Sequence, residues 1–286
     1  MDNSGIVKRA FGTTGIEVTA VGLGGEGILR TFGEEQRAAA VIGAAVDAGI
    51  TYFDCARAYA GSESYYGRYW SQHRQERSQV FQAGKSAIRT KKGALADLDV
   101  TLRTMAIDHL DLWQIHDVRT ADDLRVIGGP GGALEAFLEA KAQGRTRFIG
   151  VTGHHDPAVL TAAVRDWPVD AVMMPVNPVE AALGGFLDTA LPEAWAKGIA
   201  VIAMKILGAG HYLAPEAGIS AETLIRFALS QSITVAIVGC STPEHVRALA
   251  KVGHDATPFS ADETAAIIDL YRPHARRMAF YRGDLR

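Results

Sequence analysis

VDAVMMPVNPVEAALGGFLDTALPEAWAKGIAVIAM (169–204) reads as strand, helix, strand. Its outer pieces, VDAVMM (169–174) and IAVIAM (199–204), are nearly unbroken in apolar character, as strands buried on both faces are. Between them LDTALPEAWAKG (187–198) carries a helical pattern and stops at Gly198, a residue suited to a helix C-terminus. Working outward, the unit repeats in both directions. VTAVGL (18–23), ITYF (50–53), QVFQAG (79–84), LDLWQI (110–115), TRFIGV (146–151) and TVAIVG (234–239) bring the candidate strands to eight. Their starts lie 23 to 36 residues apart, the length of one β-loop-α unit.

Helical patterns fill the gaps. EEQRAAAVIGAAVDAG (34–49) sets Ala38, Val41, Ile42, Ala45 and Val46 on one face and stops at Gly49. ALADLDVTLRTM (94–105), GALEAFLEAKAQG (132–144) and ISAETLIRFALSQS (219–232) follow, and Pro243 after Ser241-Thr242 opens another helix. Eight alternating units in 286 residues, with no polar linker, predict one α/β domain over 1–286, a (β/α)8 TIM barrel. The turn Gly12-Thr13-Thr14-Gly15 predicts a small β-hairpin within 1–17, ahead of the barrel. Residues 260–286 predict a final helix and a tail rich in Arg, Tyr and Phe.

Composition narrows the function classes. With 29 Lys and Arg against 32 Asp and Glu, the net charge of −3 speaks against a nucleic-acid partner. No apolar run approaches a membrane span, and MDNSGIVKRAFG has no secretory h-region. Cys55 and Cys240 are too few for a disulfide framework and lie far from any metal-ligand spacing, so no metal site is expected. A cytoplasmic protein acting on a small molecule is the expectation.

In such barrels the chemistry sits at the carboxyl ends of the strands. Asp54 ends the second strand, with Tyr59 five residues later; Lys85 ends the third and His116 the fourth. The fifth gives Thr152-Gly153-His154-His155, the sixth Asn177, the seventh Met204-Lys205 and the eighth Gly239-Cys240-Ser241. Each alone reads blandly, as a cap, a loop lysine or a packing ring. An Asp, a Tyr, a Lys and a His after three successive strands do not.

RAFGTTGIEVTAVGLGGEG (9–27), GITYFDCARAYAGSESYYG (49–67), Gln82–Lys85 and Leu110–His116 together resemble the aldo-keto reductase superfamily. The loops GVTGHHDP and AMKILGAG place the resemblance in a less studied branch. It implies a catalytic tetrad of Asp54, Tyr59, Lys85 and His116 and a nicotinamide cofactor, NADP(H) preferred and NAD(H) also possible. The cofactor positions it implies are Gly24, Thr152, Gly153, His154, Asn177, Met204, Lys205, Ile206, Leu207, Gly208, Gly210, Gly239, Cys240, Ser241, Thr242 and His245. The family's carboxamide-holding Asn is missing beside Thr152, with His154 as candidate substitute, and Met204 replaces the usual stacking aromatic. Gly239 and His245 stand where many relatives carry basic residues for the 2′-phosphate, leaving Ser241, Thr242 and Arg247 as its candidate partners.

Carbonyl reduction builds negative charge on oxygen and needs a placed proton donor. By the resemblance Tyr59 would be that donor, Lys85 would lower its pKa, Asp54 would keep Lys85 charged, and His116 would steer the substrate oxygen. No GxGxxG follows a first strand; GLGGEG (22–27) is only a loose echo, which disfavours a Rossmann domain. Two alternatives stand beside an aldehyde or ketone reductase. One is a Schiff-base aldolase-type lyase using Lys85 or Lys205; the other is a slow nucleotide-sensing subunit. The loops 117–131 and 205–219 and the tail 272–286 are expected to shape the substrate pocket.

Overall fold

The computed structural model describes residues 5–255 and 257–283; the outermost ends of the expected hairpin segment and tail lie outside them. Two strands, β1 (Lys8–Ala10) and β2 (Glu17–Thr19), form an antiparallel hairpin. Eight more form a closed parallel barrel: β3 (Val21–Gly27), β4 (Tyr52–Phe53), β5 (Phe81–Ser86), β6 (Leu110–Ile115), β7 (Thr146–Thr152), β8 (Ala171–Pro175), β9 (Ala200–Met204) and β10 (Val235–Cys240). They pair in chain order, and β10 returns to pair with β3. The expected TIM barrel and its preceding hairpin are what the structure shows.

Strand boundaries shift by up to two residues at most positions, and one expected strand splits. VTAVGL (18–23) divides between the hairpin and the barrel, and the barrel strand runs on through Gly24 and Gly25 to Gly27. These glycines make room for neighbours rather than for a turn. A Cβ on Gly24 would meet the Gly239 amide nitrogen at 2.9 Å, and one on Gly25 would meet the Tyr59 ring at 2.7 Å.

Alternation along each strand sends one set of side chains into the barrel and the other towards the helices. Phe11, just past β1, closes the hairpin end of the lumen among Tyr52, Phe81 and Phe148, with Phe11–Phe81 ring centroids 4.7 Å apart. Trp113 points the other way and stacks on Phe137 of the helix Ala133–Ala142, centroids 3.6 Å apart. The opposite end of the lumen, formed by the strand carboxyl ends, is where the polar residues gather.

Several connections are more ordered than expected. The segment 117–131 contains the helix Ala121–Gly128, started by a reciprocal Thr120–Asp123 capping box. The expected helix 187–198 is a π-turn, Phe186–Ala190, running into Leu191–Ala196. Thr242 caps the helix Pro243–His254 through the His245 amide, with Pro243 in its first turn as anticipated. Helix Ala261–Tyr271 is followed by the short Ala275–Met278 and a tail that folds back over the barrel.

Candidate active site

Asp54 and Lys85 project from adjacent strand ends into the top of the lumen. Their side chains are 1% and 0% exposed, and Lys85 Nζ donates to Asp54 Oδ2 at 2.6 Å and to the Cys55 carbonyl at 2.8 Å. Burial alone would drive an ammonium's pKa down, but Asp54 and Tyr59 outweigh it and hold Lys85 above its ordinary value. Lys85 is therefore charged at neutral pH. Above it lies the Tyr59 ring, with Lys85 Nζ 4.8 Å from its centroid and His116 edge-on at 5.6 Å. The structure brings Asp54, Tyr59, Lys85 and His116 together at one strand-end site.

One electrostatic expectation needs correcting. Lys85 does favour the tyrosinate, but burial outweighs it and Tyr59 rises above its ordinary pKa. The phenol stays protonated across the neutral range, the form a proton donor needs. His116 goes the other way: burial, then the Lys85 ammonium, press its imidazole down to about 3. Protonation is resisted between its ordinary value of about 6.5 and about 3, so acidification through that window opposes folding. An NMR titration should find the His116 ring neutral from about pH 8 to about pH 5, against the unperturbed midpoint of about 6.5. A midpoint near the unperturbed value would place a charge beside Tyr59 instead.

The Tyr59 loop is pinned from below. Arg57 meets Glu63 at 3.0 Å and Asp97 at 3.4 Å, and the Thr101 hydroxyl donates to Glu63 at 2.7 Å. Among the described residues, four of the five non-glycine positions with positive φ border this end of the barrel: Ala60 (30°) after Tyr59, Asp117 (59°) after His116, Lys205 (56°) after Met204 and Ala209 (55°) in the same loop. Backbone strain of this kind costs roughly 1–3 kcal/mol per residue and gathers where side-chain aim matters.

The profile of the Aldo/keto reductase family matches residues 20–217, well over half of the chain. The chain belongs to the aldo/keto reductase family. It is similar to L-galactose dehydrogenase of Arabidopsis thaliana, 31% identical over 162 residues, 52% of this chain and 49% of that protein. It is also similar to the aldo-keto reductase yakc [NADP(+)] of Schizosaccharomyces pombe, 28% identical over 56% of this chain and 50% of that one. These matches span about half the length of each relative. Among solved structures, the holo form of an aldo-keto reductase from Bacillus halodurans superposes with a TM-score of 0.77 at 21% identity. That superposition covers 93% of this chain and 96% of the other, and it speaks for the fold.

The positions expected to hold a cofactor in this aldo/keto reductase separate into two groups. Several are already used by the protein. Asn177 is fully buried: its carbonyl oxygen accepts from the Glu180 amide, and its nitrogen donates to the Lys205 carbonyl and Tyr281 hydroxyl. It also caps the helix Pro178–Leu183. At Gly24 the missing side chain is required by β10, where a Cβ would meet the Gly239 amide nitrogen at 2.9 Å. A Cβ on Gly208 would strike the Tyr212 ring, and one on Gly239 would strike Glu26. Thr152 accepts from the Asp117 amide, and the Gly153 amide donates to the Met173 carbonyl. The His154 ring lies between the Tyr281 carbonyl at 3.2 Å and Asp117 at 3.3 Å. Ile206 and Cys240 are buried in the core.

The second group lines open backbone. Gly210 has φ 90° and nothing within 4 Å of where a Cβ would stand. It closes a turn that begins after the half-buried Met204 and Leu207. Beside it Ser241 and Thr242 lead into the helix Pro243–His254, whose exposed His245 ring accepts from the Ser241 amide at 3.4 Å. Arg247 is engaged with Glu244 at 2.5 Å.

Four residues of the site carry no local signal in the sequence. Arg30 lies over the outer face of Tyr59, its guanidinium carbon 5.1 Å from the ring centroid, tethered by Glu26 at 2.6 Å. In the tail, the Tyr281 hydroxyl donates to Glu180 at 2.8 Å, and Arg282 forms an ion pair with the same fully buried carboxylate. These contacts strap the tail across the ends of β7, β8 and β9. Among the described residues no cluster of three His, Cys, Asp or Glu is placed to hold a metal ion, and no helix is long and apolar enough to cross a membrane.

Proposed function

We propose that this chain interconverts an aldehyde or ketone with its alcohol using a nicotinamide cofactor, with Tyr59 as proton donor. The observation that carries the reading is the fully buried Lys85–Asp54 ion pair directly beneath Tyr59 and beside a neutral His116. When bound, the cofactor supplies or accepts the hydride; the chain supplies position, a proton and electrostatics. Tyr59 delivers its hydroxyl proton to the developing alkoxide. Lys85 stabilises the phenolate left behind, and Asp54 keeps Lys85 charged and aimed. Neutral His116 orients the carbonyl oxygen by a hydrogen bond.

A Schiff-base lyase is not favoured. At Lys85 imine formation would need a neutral, accessible amine, whereas Lys85 is charged, buried and doubly hydrogen-bonded. At the half-buried Lys205 it is the family match that speaks against a lyase. A sensing subunit would share the same fold, and turnover separates the two. The test is a panel of aldehydes, ketones and alcohols run with NADPH, NADH and their oxidised forms. Turnover of any carbonyl supports the reading; cofactor binding without turnover supports the sensor.

Open backbone at Gly210 and the capped helix start at Ser241-Thr242 suit a pyrophosphate and a ribose phosphate. The printed name of the Schizosaccharomyces pombe relative includes NADP(+), which supports the same choice. Glu244 lies in the first turn of that helix and pairs with the exposed Arg247, so a 2′-phosphate would compete with Glu244 for that guanidinium and otherwise meet hydroxyls and amides. A charge-assisted partner is worth about 1.5–3 kcal/mol, or roughly 10- to 150-fold. With Arg247 contested, kcat/KM should favour NADPH over NADH by about 10-fold or less. An NADH preference would overturn the assignment.

A further inference from the structure

The turn that carries His116 closes around one guanidinium. Arg89 lies four residues past Lys85, and its side chain is 24% exposed. Its Nη1 donates to the His116 carbonyl and its Nη2 to the Asp117 carbonyl, each at 2.7 Å, and its Nε donates to Asp123 Oδ1 at 2.9 Å. Successive carbonyls of an extended chain point to opposite sides. Asp117 is left-handed, φ 59°, which turns these two to one side, where a planar fork takes both. Asp123 Oδ2 accepts the Arg119 and Thr120 amides, tying the start of the helix Ala121–Gly128 to the same side chain. The Thr152 hydroxyl accepts from the Asp117 amide at 2.8 Å, so the strained residue is held at both ends. Among the described residues no hydrogen bond holds the His116 ring itself. Its aim is set by this backbone and by packing.

We infer that Arg89 is a positioning residue for the carbonyl chemistry: by locking the His116–Asp117 peptide it aims the His116 ring at the substrate oxygen. The inference rests on the reductase reading, in which His116 orients that oxygen. Arg89 acts only through the turn, because its nitrogens are spent on two carbonyls and a carboxylate. A lysine would not replace it, since an ammonium keeps the charge but offers a point where a plane spans two carbonyls. Misplacing an aimed group by about 1 Å can cost about 10²-fold in rate. A loosened turn should therefore show in kcat and leave cofactor affinity alone.

The test compares Arg89→Lys and Arg89→Ala with the wild type on the carbonyl of the panel that turns over fastest. Both variants should lose about 10-fold or more in kcat, while NADPH binding, read by tryptophan quenching, stays within about twofold. Millimolar guanidinium chloride, far below the molar range that unfolds proteins, should recover much of the Arg89→Ala loss, and sodium chloride at equal strength should not. Lys85, Asp117, His154 and Tyr59 also stand about the His116 ring, and neither substitution alters them. Arg89→Lys keeps a cation beside the turn but frees the ring, so by NMR His116 should begin to charge between about pH 7 and pH 5, where the wild-type ring stays neutral. Wild-type kcat in Arg89→Lys overturns the inference, and so does a loss of turnover with His116 still neutral at about pH 5. If Arg89→Ala fails to fold, Arg89→Lys decides alone. If the wild type turns over no carbonyl, the reductase reading is what falls. The His116 titration in Arg89→Lys then decides the aiming: charging above about pH 5 supports it, and a ring that stays neutral overturns it.

Discussion

Tyr59→Phe should lower aldehyde turnover by about 10²-fold or more while leaving NADPH binding intact. The ring is placed by contacts that a phenylalanine keeps: Lys85 and Arg30 on its faces, His116 at its edge, and the bare Gly25 backbone behind it. Its hydroxyl makes no hydrogen bond among the described residues, so removing it should change stability by less than about 0.5 kcal/mol. Quenching of tryptophan fluorescence by NADPH reports binding, and steady-state kinetics report turnover. A folded variant that binds NADPH and turns over at the wild-type rate would take Tyr59 out of the role.

Lys85→Met should be costly twice. It removes the charge beneath Tyr59, and it strands Asp54 as an unpaired carboxylate where only 1% of the side chain meets solvent. Breaking a buried pair from one side typically costs about 3–5 kcal/mol. Burial already pushes the Asp54 carboxyl up, and without Lys85 nothing strong opposes it. Its folded pKa then lies above the unfolded one, so the variant should gain stability as pH falls and Asp54 protonates. Adding Asp54→Asn should restore most of the urea midpoint at neutral pH without restoring turnover. Stability that Asp54→Asn fails to rescue would mean the lysine stem, not its charge, is what the site needs.

Much of this molecule is legible residue by residue, and its gaps have physical causes. The barrel is visible because strands buried on both faces cannot hide their apolar runs. VGLGGEG obscures one strand, since glycine weakens a strand pattern even where a neighbour's ring demands it. Asp54, Tyr59, Lys85 and His116 stand out because each lies at or just past the carboxyl end of a strand, and strand ends converge. Asn177 has a second role that the sequence also signals locally: Asn-Pro-Val-Glu is a good helix cap, and the side chain caps the helix Pro178–Leu183. Arg30 and the Tyr281–Arg282 strap are invisible in the sequence. Their partners are set by closure of the barrel, with the Glu180–Arg282 contact spanning 102 residues of chain.

The order in which the barrel is threaded divides its proposed labour by chain half. Asp54, Tyr59, Lys85 and His116 all precede the exposed Pro130-Gly131 turn, and the proposed cofactor backbone at Gly210 and Ser241-Thr242 all follows it. A chain interrupted at that turn would give one piece with an acid–base centre and no hydride donor, and another with a nucleotide seat and nothing to protonate. Only pairing of β6 with β7 and of β10 with β3 brings the two onto one rim. On this proposal, two fragments divided there should show turnover only when mixed and reassociated.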